Sequence, residues 1–529
     1  MTNYDELIAL NAQQATRIDE LVNTVAMLRE EVQRLKDEIA TLKGQKPRPK
    51  IPPSSLEGPY STDKQKNTSR IPRGKHPRHK KTNQLSIHSC QRIKPVDIPE
   101  GAVFKGLRKY TVQDIMLKPH NTVYELEYWR LPDGTCITGK IPINIHGHYG
   151  LTLVAYILNQ YYGCRVTEDL LLTELREIGV LISGGQLHNI LIENKKLFHQ
   201  EKNELLPAGI AATGQVKVDD TGARHQGDNW YTTVIGNQFF TFVETTNSKS
   251  RVNFLRVLHG TDPQYLINED TVDYIESLNS TTYLKSYLLV HGAGRLMNEA
   301  EWNQFLFEIN VTTEGEVKLA TEAALFASLL QRGIPKDLGV HGDDAGQFNV
   351  FVRSLCWIHE ERHYRKIIPV DDTMRLAIEQ VRQGIWELYK GLKEYKEAPS
   401  KAAQTLLNQK FDDLFLKNTP SPTLNKQLAR TYAKKSELLR VLERPDTPLH
   451  NNGTETDARE VVVKRKVSGG TRSDEGRKCR DTFVSLKKTC IKLGISFWSY
   501  LQDRVSGIFN IPKLSTIIKQ RATAQSQGP

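Results

Sequence analysis

Residues 215–246 read QVKVDDTGARHQGDNWYTTVIGNQFFTFVETT. A period of two predicts three consecutive strands here, QVKVDDTGARHQ, NWYTTVIG and QFFTFVETT, since alternate residues of a strand face one side of a sheet. Gly236-Asn237, between the last two runs, is a two-residue hairpin signal, because both residue types tolerate the positive φ such turns need. Three strands joined in this way form an antiparallel meander.

Working downstream, residues 246–332 are mainly helical and charged. KDLGVHGDDAGQF then reads as a short strand ending in carboxylates, and CWIHEERHYRKII as a helix, within 333–366. Helical patterns fill 367–443. In 444–510 a loop, RPDTPLHNNG, leads into TETDAREVVVKRKVSGG and a last helix, RDTFVSLKKTCIKLG, before a polar tail at 511–529. Strands interleaved with helices predict an α/β fold, with helical insertions at 246–332 and 367–443.

Upstream, residues 150–200 read as three helices with Gly179 between the second and third. A glycine-containing turn between helices fits a helix-turn-helix whose second helix enters a DNA major groove, and it fits an ordinary helical hairpin equally well. Residues 83–149 hold short β-prone runs such as TVYELEYW and predict a small β-rich module. Residues 44–82 are rich in proline, serine and cations and cannot bury enough surface to offset ordering. They form a linker, either a phosphate-tracking arm or a plain tether. Within 1–43, Ile18, Leu21, Val25, Leu28, Val32, Leu35, Ile39 and Leu42 alternate spacings of three and four. β-Branched a positions with leucine at d favour a parallel two-stranded coiled coil, hence self-association; the alternative is one amphipathic helix packed on its own domain.

A net charge of +11 favours polyanionic partners, nucleic acid first. No apolar run approaches the roughly 18 to 20 residues that cross a bilayer, and the polar, acidic start is no secretory signal, so no membrane is expected. The six cysteines lack any Cys-x-x-Cys pair, which argues against a disulfide scaffold or a four-cysteine zinc site. A reducing cytoplasm follows.

Three acids stand where an RNase H-like catalytic core needs them: Asp219 in the first strand of the meander, Asp343 at the end of the later strand, and Glu455 at a loop-to-helix junction. Phosphoryl transfer on DNA needs two divalent ions roughly 3.5 to 4 Å apart, and magnesium takes hard oxygen ligands. Taken alone each acid is ordinary, since Asp-Asp pairs often cap helices or line turns.

A family pattern adds to this. VDDTGARHQGDNWYTTVIGN, GDDAGQF followed by CWIHEERHYRK, and HNNGTETDAREVVVKRKVSGGTRSDEG followed by FVSLKKTCIKLGISFWSYLQD together resemble the transposases of the insertion sequence 66 family. That resemblance implies a DDE-type transposase, cutting and rejoining the ends of a bacterial insertion sequence. It makes Asp219, Asp343 and Glu455 the catalytic and metal-binding residues, with Mg2+ as the ion and Mn2+ as an alternate. The partners implied are double-stranded DNA, at element ends and target, and other element-encoded proteins; the place of action is the bacterial nucleoid.

The motif ending in Asn451 and Asn452 implies that Glu455 completes the metal site while Arg459 or Lys466, with Arg465 nearby, meets DNA. Four residues apart on a helix, Glu455 and Arg459 share a face, so Arg459 is alternatively an intrahelical ion-pair partner. Asp219 and Asp220 alternate across a strand and only one can face the metals; Asp219 is chosen. Asp343 is chosen over the adjacent Asp344. Cys356 and His359 form a Cys-x-x-His step that lacks a nearby fourth zinc ligand; His359 either orients the active site or is a buried structural histidine. Many family members carry a cysteine-rich module after the linker, where this chain has only the widely spaced Cys90 and Cys136. A transposase-derived DNA-binding protein without catalysis is the alternative function.

Overall fold

The computed structural model of the chain describes residues 85–141, 147–278 and 282–526. The coiled-coil seam and the basic linker lie outside them. Alternation at 215–246 produces β1 (Gln215–His225), β2 (Asp228–Gly236) and β3 (Thr241–Thr246), paired antiparallel as a meander. β4 (Gly339–Gly342) and β5 (Val352–Leu355) run parallel to β1 and complete a mixed five-stranded sheet in the order β3-β2-β1-β4-β5. The chain is therefore α/β. β5 is not among the predicted strands, because VRSL does not alternate apolar with polar residues.

The turns differ from expectation. The tight two-residue turn is Gln226-Gly227, where both residues have positive φ (51° and 91°) as a primed hairpin turn requires. Gly236 is the last residue of β2, paired with Thr241, and residues 237–240 form a longer loop. Asn237 closes that loop: its Nδ2 donates to Gly209 O and Thr213 Oγ1, both at 2.9 Å, and its Oδ1 accepts from Phe239 N. These bonds hold Phe239 and Phe240 inward. A Cβ on Gly209 would stand 2.1 Å from the Phe240 ring, so only glycine allows the approach.

The helices in chain order begin with α1 (Leu151–Leu158), extended by a π turn at Asn159–Gly163, then α2 (Glu168–Glu177), α3 (Gly184–Ile192) and α4 (Lys196–Thr213). The run 183–198, expected as one helix, breaks at Asn194, which takes positive φ (57°). Tyr162 of the π turn stacks on Phe483 at 4.2 Å between ring centroids. These helices thus share one hydrophobic cluster with Val216, Val218, Ile235 and Phe242 of the sheet. α5 (Arg251–His259) and α6 (Glu314–Gln331), buried all round from Ala320 to Leu329, anchor the first insertion to the same cluster. α7 (Trp357–Arg365) leads into the second insertion, α8 (Asp372–Glu397), α9 (Lys401–Phe415) and α10 (Pro422–Tyr432). That insertion has its own core around Trp357, Tyr364 and Phe411.

α11 (Asn452–Ser468) and α12 (Asp474–Lys492) cover the opposite face of the sheet, where Val234 and Val243 meet Ala458, Val461 and Val484. α12 also closes the β3 edge. Asp481, Ser485 and Thr489, one helical turn apart, accept from the backbone N–H groups of Thr245, Val243 and Thr241 at 2.8, 2.9 and 3.1 Å. The match is geometric: four helical residues rise about 6 Å and two strand residues about 6.8 Å. An edge bonded in this way cannot template aggregation. α13 (Phe497–Ser506) packs on α1. Residues 514–526, expected as part of a polar tail, form α14 (Leu514–Ser526), because Leu514 and Ile518 stand one turn apart and are both fully buried.

Residues 86–114 are exposed and hold no helix or strand. Farther on, the expected β-rich module reduces, among the described residues, to one ladder of Tyr128–Arg130 with Cys136–Thr138. All six residues are exposed, so nothing packs there to sustain more strands. Among the described residues no helix is long and apolar enough to cross a membrane.

Candidate active site

The parallel pairing of β1 with β4 ends at Lys217↔His341. Asp219 and Asp343 each follow that last pair by two positions on neighbouring strands, so the register brings both to one end of the sheet. Asp219 pairs with Val234, which pairs with Val243, and it therefore belongs to the face covered by α11. Asp220 points to the other face, where its Oδ2 accepts from Gln347 Nε2 at 2.7 Å.

The start of α11 is pinned to the same place. Asn451, fully buried, donates from Nδ2 to Val218 O at 2.7 Å, and its backbone N–H donates to Cys356 Sγ at 3.3 Å. One side chain thereby ties the α11 N-terminus to the residue before Asp219. Glu455 stands in the first turn of the helix so fixed. Cys356 is buried core, its thiol pushed up by burial.

Charge shows that the three acids share one field. Burial, then the carboxylates of Asp343 and Glu455, push the Asp219 carboxyl up to about 7, against the N–H that Asp220 donates to its Oδ1 at 2.9 Å. Asp343 accepts from Ala345 N at 3.1 Å. Asp344 has a different environment: burial would raise its carboxyl, but Lys434 at 2.5 Å and Arg353 at 2.9 Å hold it below the usual range.

Glu455 has a partner that sequence reasoning missed. Arg362 of α7 donates to Oε1 at 3.4 Å and to Oε2 at 3.3 Å, and His359 Nε2 lies 3.5 Å from Oε1. Arg362 also donates to His359 Nε2 at 3.1 Å, which leaves the proton on the buried, unpartnered Nδ1. Burial lowers the affinity of His359 for a second proton, and Glu455 opposes that. Arg362 lies three residues beyond His359 on one helix face, and extending the His359 reading by that step would have found it.

The remaining predicted residues are placed as follows. Asn452 opens α11 and is partly buried, Arg459 and Lys466 are exposed, and Arg465 reaches over β1, 3.4 Å from where a Cβ on Gly222 would stand. The cation on Glu455 is thus Arg362 and not Arg459. Among the described residues no three His, Cys, Asp or Glu side chains stand close enough together to hold a metal ion. The donor chemistry of Asp219, Asp343 and Glu455 nonetheless suits a hard divalent cation, since all three offer carboxylate oxygens.

A profile described as "Transposase IS66 family" matches residues 345–479, a span that includes His359, Arg362 and Glu455. An uncharacterized protein, y4jO, of Sinorhizobium fredii is 40% identical over 303 residues, which cover 57% of this chain and 94% of that protein. No solved structure matches the chain.

Proposed function

We propose, from the match of residues 345–479 to the transposase family of insertion sequence 66, that the chain is a DDE-type enzyme cleaving and joining DNA strands at the ends of a bacterial insertion sequence. The mixed sheet is read as an RNase H-like core. Asp219, Asp343 and Glu455 are its metal ligands, and Mg2+, or Mn2+ in its place, is its ion. The observation that carries this reading is the shared field at one end of the sheet: two aspartates in matching register on β1 and β4, with Glu455 on a helix start pinned beside them.

When bound, the ions supply a nucleophile at neutral pH and stabilise the leaving oxygen. The side chains have separate tasks. Asn451 fixes where Glu455 emerges, His359 accepts from Arg362 and so orients the guanidinium on that carboxylate, and Asp344 ties the strand end to the second insertion. Arg459, Arg465 and Lys466 meet backbone phosphate, and the 44–82 arm adds affinity that does not depend on sequence. Gln186, His188 and Asn189 on the open face of α3 are the candidates for groove contacts. Residues 18–43 bring two copies together, and other element-encoded proteins assist.

The test is strand cleavage and transfer on duplexes that carry the terminal repeats flanking the gene. Asp219→Asn, Asp343→Asn and Glu455→Gln should each reduce cleavage by about a thousand-fold or more, with DNA affinity nearly unchanged, as for groups acting in the transition state. Full cleavage by any of the three removes that residue from the mechanism. No cleavage by the unaltered protein, with binding intact, would favour the alternative of a DNA-binding derivative without catalysis. The pairing of Glu455 with Arg362 gives that alternative its structural support.

A further inference from the structure

The Arg362 contact with Glu455 has the form of a bidentate fork with the lengths of a loose one. Charge-assisted N–H to carboxylate bonds are typically about 2.7–2.9 Å, whereas these are 3.4 and 3.3 Å. The Arg362 side chain is 43% exposed, so part of it faces solvent, and the Glu455 side chain is 22% exposed. Both oxygens of Glu455 are engaged by Arg362, and His359 Nε2, which accepts from the same guanidinium, lies 3.5 Å from Oε1. A divalent cation arriving at this carboxylate would meet a positive charge on the same lone pairs. Neither Asp219 nor Asp343 has a cation partner among the ion pairs of the described residues, so the competition falls on Glu455 alone.

We infer that Arg362 is an exchangeable positioning residue: its guanidinium holds Glu455 in the arrangement seen here, yields the carboxylate to a divalent cation, and then binds a phosphate of the DNA strand being cut. This inference rests on the metal-site reading of Asp219, Asp343 and Glu455. Two features of the place support the second position. Planar guanidinium matches phosphate as well as carboxylate, and Lys366, one turn beyond Arg362 at the end of α7, is a second exposed cation on that side.

The experiment is a calorimetric titration of the full-length protein with Mn2+, without DNA, followed by cleavage at saturating Mn2+. An exposed, loosely held ion pair contributes at most about five-fold in an equilibrium constant. Arg362→Gln should therefore bind Mn2+ about two- to five-fold more tightly than the unaltered protein, and in a Glu455→Gln background the same change should have no effect. At saturating Mn2+, Arg362→Gln should cleave more slowly, and Arg362→Lys should recover part of the rate by restoring the charge. Equal or weaker Mn2+ binding by Arg362→Gln overturns the exchange. Undiminished cleavage at saturating Mn2+ overturns the phosphate contact. Mn2+ binding that is indifferent to Asp219→Asn sinks the metal-site reading itself, a result separable from both.

Discussion

On α11, Glu455 meets Arg362 only at 3.3 and 3.4 Å, whereas Glu460, five residues on, is bound by Arg165, with Nε at 2.8 Å, and by Lys487 at 2.9 Å. Between them Asp457 is bound by Lys488 at 3.0 Å, by Lys492 at 2.7 Å and by the Thr241 hydroxyl at 2.6 Å. Burial would raise both Asp457 and Glu460, but their cations hold each carboxyl below its usual range, Glu460 at about 2. The same helix thus carries saturated acids that join α11 to its neighbours and one under-coordinated acid at its pinned end. Saturation marks a structural carboxylate, and incomplete coordination beside other acids marks one available to a ligand.

The largest effect that sharpens this contrast is expected at Glu460. Glu460→Gln leaves Arg165 and Lys487 without their anion inside the fold and should cost roughly 3 kcal/mol at pH 7, with cleavage by the folded protein little changed. Its folded carboxyl lies below the unfolded value of 4.5, so the stability it contributes is fully present above about pH 4.5 and is lost as pH falls through about 2. Thermal unfolding at pH 7 and pH 3 should show the gap between the variant and the unaltered protein narrowing toward acid. A gap independent of pH would mean that packing, and not charge, accounts for the loss.

Asp219 should show the opposite sign. Its folded carboxyl is raised from 3.8 to about 7, so its ionisation is a cost absent below about pH 4, growing to about pH 7 and constant above. Asp219→Asn in chelator should therefore raise thermal stability at pH 8, on the order of 2 kcal/mol once partial exposure is allowed for, and should be nearly neutral at pH 4. A variant destabilised at pH 8 would show that Asp219 is a saturated acid after all.

Much of this was legible in the sequence because it is local. Alternation gave the three strands of the meander, and the carboxylates after VHG marked the end of β4. The missing parts depend on contacts between distant residues or on segments without the expected alternation. β5, VRSL, has two polar residues between two apolar ones. Arg362 acts on Glu455 across 93 positions, and Glu460 owes its saturation to Arg165, 295 positions away. The turn signal at Gly236-Asn237 misled because the Asn237 amide is recruited by α4, which propensity does not register. α14 looked like tail because its apolar positions are few, Leu514 and Ile518 buried with Ile517 and Ala522 packed beside them, among many polar residues.

The Asp343-Asp344 pair is the case in which sequence offered two answers, and it carries the smallest predicted effect. By the rule drawn from α11, Asp344 is structural, since Lys434 from beyond the α10 end and Arg353 from β5 both reach it. Asp343 takes only the Ala345 N–H, and its charge is felt at Asp219. Asp344→Asn keeps the shape and removes the charge. Lys434 still has Glu360 at 3.5 Å, and Arg353 still donates to Asp343 O at 3.3 Å. Because both cations retain a partner and Asp344 is 41% exposed, the loss should be only about 1 kcal/mol. Cleavage should fall less than about ten-fold, against a thousand-fold for Asp343→Asn. Measuring both variants on the same duplex decides between the two aspartates. If Asp344→Asn is the inactive one, the metal ligand is the saturated acid, and the distinction between saturated and available carboxylates fails where it matters most.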